Sequence, residues 1–166
     1  MSKGQIEQLD NPEQIYRKPQ TVFTATFVGV SNRFEGTVIS ASQGKCQVKQ
    51  QDFYVAAQPE DFQDGDAILI LVRPEQIAIH DQDEPELAGP LATHNHIPGI
   101  IQLRTFLGPF TRFMVKTAND ELVTVDVSNQ QARDLFVAQS IVMTFSPDNC
   151  YVLPLQDKKQ KYIQSI

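Results

Sequence analysis

The chain has 166 residues, 41% of them hydrophobic and 20% charged, a balance that excludes a disordered polypeptide and suffices for one domain or two small ones. Fourteen Lys and Arg against twenty Asp and Glu give a net charge of -6, which argues against a partner held through its phosphates. The longest apolar run, Ala67 to Val72, is far too short for a membrane-spanning helix, and no export signal is visible after Met1, so the expectation is a soluble, cytoplasmic protein.

In chain order, Lys3 to Leu9 reads as a short strand. Asn11 reads as a helix N-cap followed by Pro12 at the first helical position, with Gln14 at the capping-box position. Pro19 ends that helix, and a second one is expected from Thr21 to Val28, with Phe23 and Phe27 on one face. Short strands follow at Thr37 to Ala41, Lys45 to Gln50 and Phe53 to Ala57, then a helical turn at Pro59 to Asp64. Ala67 to Val72 is a continuous apolar strand expected to be buried on both faces, and Gln76 to His80 is one more strand. Asp81 to Ile97 is acidic, carries Pro and Gly, shows no apolar period and reads as a linker. Beyond it come strands at Gly99 to Phe106, Phe113 to Thr117 and Leu122 to Val127. A helix capped by Ser128 is expected to run to about Val137, and strands at Ile141 to Phe145 and Cys150 to Leu155 close the series.

The two halves share one grammar. Gly36-Thr37-Val38-Ile39 matches Gly99-Ile100-Ile101-Gln102, and the run from Gly65 to Ile79 parallels that from Gln139 on. Five short strands per half, with a helical turn before the last hairpin, predict a mainly β fold of two OB-like small barrels after a short helical lead-in.

Searches for chemistry return little. The nearest approach to a phosphate-binding loop, at Gly44-Lys45, has Ile39 where the first glycine belongs and Cys46 in place of the hydroxyl residue. A nucleophile elbow is broken by Arg33. His94 and His96 form an isolated pair in a loop, read as solvated rather than metal-binding, and Cys46 and Cys150 read as buried, inert thiols. The acids from Asp81 to Glu86 read as a solvated linker. No catalytic residue, cofactor or metal ligand is assigned.

Lys3-Gly4-Gln5-Ile6-Glu7-Gln8, then Asn11-Pro12-Glu13-Gln14-Ile15-Tyr16 and Pro19, resemble the exit from the ATPase domain of an ABC importer. Phe27 to Asn32, Phe34 to Val38 and Val72-Arg73-Pro74-Glu75 resemble the TOBE region that follows in such ATP-binding subunits, most closely in the polyamine (spermidine/putrescine) branch. Leu107-Gly108 and the hairpin Phe113 to Val127 resemble its distal part. The resemblance implies two intertwined barrels: residues 1–29 as an ATPase-domain remnant and lead-in, 30–81 and 99–155 as the halves, 82–98 as linker and 156–166 as a polar tail. It also implies a regulatory and dimerisation role, with an ATPase domain and a second copy as partners and the transporter's membrane subunits reached indirectly. Membrane insertion and nucleic-acid binding are not implied, and ATP and Mg belong only to the ATPase domain, whose Walker and signature motifs this sequence lacks. Arg33, Phe34, Glu35, Gly36, Arg73, Pro74 and Glu75 are the family-motif residues, structural or interfacial, and Tyr16, Phe23 and Phe27 are expected to face the ATPase domain. Arg73 and Glu75 either pair locally where a buried strand ends or act at a subunit or ligand surface. Two other readings stay open: a stand-alone TOBE module binding a small oxyanion, and an OB-type nucleic-acid binder, which four basic against eight acidic residues from Val30 to Asp81 disfavour.

Overall fold

Alternation of apolar and polar side chains builds most of the molecule, and a computed structural model describes it for residues 4–6, 8–17, 29–56 and 62–155. Among the described residues are one helix, α1 (Pro12–Arg17), and ten strands: β1 (Asn32–Ser40), β2 (Lys45–Val48), β3 (Gln51–Tyr54), β4 (Ala67–Val72), β5 (Ala78–Asp81), β6 (Asn95–Phe106), β7 (Phe110–Thr117), β8 (Leu122–Ser128), β9 (Ser140–Phe145) and β10 (Tyr151–Pro154). They form two antiparallel five-stranded sheets, ordered β10-β4-β1-β2-β3 and β5-β9-β6-β7-β8. Each half therefore keeps four strands and gives its fifth to the other sheet, so the two OB-like barrels are intertwined.

The exchange is set by two short turns. Val72 and Phe145 end β4 and β9, and 3-10 turns at Pro74–Gln76 and Pro147–Asn149 then redirect the chain. A proline at the first turn position has no N–H to lose and presets φ, which suits a sharp exit from a strand. The repetition extends to detail. β1 opposes β4 with Asn32 across from Val72 and Gly36 across from Ile68, while β6 opposes β9 with Asn95 across from Phe145 and Gly99 across from Ile141. Both first strands carry an irregularity at the same step, between Val38 and Ser40 and between Ile101 and Leu103. Such a bulge bends the strand and lets the sheet curl.

The core is shared. Phe34 and Phe53 of the first sheet pack on each other with ring centroids 5.1 Å apart, and on Phe145 of the second at 6.2 and 5.6 Å. One apolar cluster runs from these rings through Ile68, Val72, Ile101, Phe113, Val125 and Met143. β4 is buried on both faces, as its unbroken apolar run predicts: Ile68, Ile70 and Val72 face the main core, and Leu69 and Leu71 join Leu153 of β10 in a second cluster.

Local differences from the sequence reading have physical causes. β1 begins at Asn32, well before Thr37, because Asn32, Phe34 and Val38 alternate inward although charges and Gly36 stand between them. β6 begins at Asn95, inside the stretch expected to be linker, since Asn95 and Ile97 are buried against β9. The helix expected after Ser128 is only a 3-10 turn, Gln131–Asp134. Ser128 Oγ does accept from the Gln131 N–H, but the chain then leaves to bond β6, Ala138 N–H donating to Ile101. Asn11 caps α1, its Oδ1 accepting from Gln14 N–H at 2.9 Å, while Asp10 rather than the Gln14 side chain takes the Asn11 N–H. The second helix, Phe23 and Phe27, the first half of the turn at Pro59 to Asp64 and the tail 156–166 lie outside the described residues.

Candidate functional site

A polar junction forms where α1 meets the turn at Pro74–Gln76. Arg73 follows β4 and is 8% exposed, yet among the described residues it has no carboxylate partner. Its guanidinium lies 4.1 Å over the Tyr16 ring and donates to the carbonyls of Tyr16 at 2.6 Å and Val30 at 3.2 Å. The Tyr16 carbonyl belongs to the last turn of α1, where unsatisfied carbonyls favour a cation. Two residues beyond Arg73, Glu75 accepts from the Tyr16 hydroxyl at 2.6 Å. Burial, then the bond to Glu75 and its charge, push the Tyr16 phenol up to about 12, with Arg73 acting in the opposite direction.

Arg73 and Glu75 are thus each engaged by Tyr16 of the lead-in rather than by one another. Pro74 is buried and shapes the turn. The other motif residues go elsewhere. Phe34 is core, and Gly36 is required by close packing, because a Cβ there would stand 2.7 Å from the Gln47 carbonyl oxygen. Arg33 and Glu35 alternate outward on β1 and are exposed, away from the core face.

Beside the junction is a cavity of about 660 Å³ bounded by α1, Arg73, Glu75 and the turn at Pro147–Asn149, with Tyr16, Tyr151 and Phe62 in its walls. The repeat places a second cavity, of about 600 Å³, beside the turn at Pro74–Gln76. Between these regions Arg112 and Asp126 form a two-pronged ion pair with both contacts at 2.8 Å. Burial raises the thiols of both Cys46 and Cys150, the latter to about 12, so neither is a thiolate near neutral pH. His96 contacts the Leu91 carbonyl oxygen through its ring. At this junction the groups are bound in ways that hold a helix against a strand turn. Sequence reasoning missed His80, Glu84 and Glu86, which converge beside the second cavity; the spacing His-x3-Glu-x-Glu was the available signal.

The family model for the TOBE domain matches residues 70–153. The chain is 32% identical over 157 residues to the spermidine/putrescine import ATP-binding protein PotA of Thermobifida fusca, covering 93% of this chain and 39% of that protein. It is 25% identical over 175 residues to the protein of the same name from Thermotoga maritima, covering 95% and 44%. The chain therefore spans about two-fifths of the length of these relatives. Among solved structures, the cytoplasmic molybdate-binding protein ModG in its molybdate-bound form has the same fold, with a TM-score of 0.64 and 12% identity over 75% of this chain and 96% of that one. With a match over half its length, two intertwined barrels and the strand-end Arg-Pro-Glu turn, this chain belongs to the TOBE domain family.

Proposed function

We propose that the chain is the regulatory region of the ATP-binding subunit of an ABC importer for small solutes, of the polyamine type. The observation that carries this reading is the continuity of the similarity: two importer ATP-binding proteins align with 93% and 95% of the chain, lead-in included. The structure supplies a matching physical path. α1 is fastened to the turn that sends β5 into the opposite barrel, so a displacement of the lead-in pulls on a strand shared by both barrels. In this role the chain pairs with an ATPase domain and with a second copy of itself, and reaches the membrane subunits through the ATPase domain on the cytoplasmic side. ATP and Mg bind the ATPase domain. A ligand or partner acts by preferring one arrangement of the pair, which is all that regulation requires. No described helix is long and apolar enough to cross a membrane.

The test is uptake of labelled putrescine and spermidine in cells of the source organism with the coding sequence deleted and then restored. Uptake that falls or loses its regulation, and recovers on restoration, supports the proposal. Unchanged uptake, together with tight binding of molybdate or tungstate by the purified chain, replaces it with the stand-alone oxyanion module.

A further inference from the structure

We propose that His80, Glu84 and Glu86 form a site for one divalent transition-metal ion of the zinc class, at the edge of the second sheet. One ligand atom from each of the three residues lies within 4.8 Å of the others. Donors around a single ion with bonds of about 2.0–2.2 Å stand about 3–4 Å apart, so a small rotation of the exposed Glu86 closes the set. His80 is held for the purpose. Its Nε2 is 3.0 Å from the hydroxyl of Thr144, itself 2% exposed, and this leaves Nδ1 facing Glu84, whose Oε2 is 2.7 Å away. A partner on the far ring nitrogen is the usual way a metal-binding imidazole is oriented.

Two further observations are independent of that geometry. The first is the internal repeat. The residues equivalent to Thr144 and His80 in the other barrel are Leu71 and Leu153, which pack together in the small apolar cluster. One copy of the design is closed by leucines, while the other replaces them with a hydroxyl and an imidazole. An ordinary surface ion pair accounts for His80 and Glu84 but not for that buried tether or for the approach of Glu86. The second is the cavity beside the cluster. Its walls include Glu75, Glu84, Glu86 and Asp126, and neither lysine nor arginine lines it. Glu75 is engaged by Tyr16 and Asp126 by Arg112, so Glu84 and Glu86 are the carboxylates left to meet a cation. One imidazole nitrogen with two carboxylates suits zinc and its neighbours better than calcium or magnesium, which favour oxygen throughout, and it leaves a position for water.

The experiment is calorimetry and chelator competition with Zn²⁺ on the full chain at neutral pH. The expected result is one equivalent bound, weakened about a hundredfold or more by His80→Ala, since even supporting residues around a metal are worth about 10–100-fold. Glu84→Gln/Glu86→Gln should weaken it comparably while keeping the His80–Thr144 contact, so this variant decides the matter if His80→Ala fails to fold. His94→Ala and Cys46→Ser/Cys150→Ser should bind as the parent does. Absence of saturable binding by the parent, binding unchanged in the double glutamine variant, or binding lost in the cysteine variant would each overturn the site. None of these results depends on what the chain regulates.

Discussion

Asn32 and Asn95 make the same two hydrogen bonds to opposite sheets. Asn32 accepts from the Thr124 N–H at 2.8 Å and donates to its carbonyl at 2.7 Å, while Asn95 does both to Tyr54 at 2.7 Å. Both side chains are buried, and each opens the first strand of one sheet while satisfying an otherwise unpaired stretch of the other sheet's β3 or β8. Truncating either leaves a backbone donor and acceptor without a partner. Asn32→Ala and Asn95→Ala should each cost about 2–3 kcal/mol. Urea denaturation followed by circular dichroism should show the loss within a single transition, whereas two separated transitions would mean that the barrels unfold independently.

Tyr16 gives the helix junction a measurable pH dependence. Its phenol is raised from an ordinary value near 10 to about 12 in the folded chain. Between those values the unfolded chain loses the proton first, so the Tyr16 contribution is intact below pH 10, declines above it and is gone beyond about 12. The raised Cys46 and Cys150 thiols add alkaline slopes of the same sign, so the comparison must isolate Tyr16. Tyr16→Phe should flatten the fall in stability between pH 10 and 12 relative to the parent, measured by chemical denaturation across that window. An identical slope in both proteins would show that the hydroxyl is not held by Glu75 in solution.

Gly36 and Gly99 stand at equivalent points where neighbouring strands pass too close for a side chain. A Cβ at Gly99 would stand 2.5 Å from Val115 Cγ1 and 3.0 Å from the Lys116 carbonyl oxygen. Gly36→Ala and Gly99→Ala should each destabilise by about 1–3 kcal/mol through overpacking, read as a lowered urea midpoint. The Gly99 change should be the milder of the two if the Val115 side chain yields, because the Gly36 clash is with backbone.

Cleavage between Pro85 and His94 should leave the two pieces associated. Each barrel contains a strand from the other half, and the aromatic core joins both sheets, so neither piece has a complete sheet of its own. Limited proteolysis followed by gel filtration should give one native-size peak that separates only in denaturant. Two fragments that migrate apart and melt cooperatively would contradict the strand exchange.

Much of this was legible in the residues. The unbroken run of β4, the alternation of β7 and β8, the Asn11 cap and the repeat between halves are local patterns, and local patterns report strand, turn and burial directly. The start of β1 was obscured because Arg33 and Glu35 suggest a loop until Asn32 is recognised as a buried polar anchor, and its carboxamide is satisfied only by Thr124, which is far away in the chain. The Arg73-Pro74-Glu75 motif was visible, but its contact with Tyr16 depends on a tertiary approach that no spacing encodes. The same holds for His80: nothing in its neighbourhood announces Thr144, and the acids that follow it read as a solvated linker until the fold turns them back on the ring.

The handover of β10 to the first sheet has a consequence for how the protein is made. β4 needs Tyr151–Pro154 beside it to cover Leu69 and Leu71, and those are nearly the last of the described residues to leave a ribosome. Until they emerge, the first barrel stands with an open, leucine-rich flank, the kind of edge that invites pairing with another chain. A polypeptide synthesised from its first residue at roughly 5–20 residues per second therefore spends several seconds with that flank bare. The second sheet needs nothing beyond Phe145, but the first closes only with β10, and a ribosome stalled shortly before Tyr151 would display an aggregation-prone half instead of a finished domain.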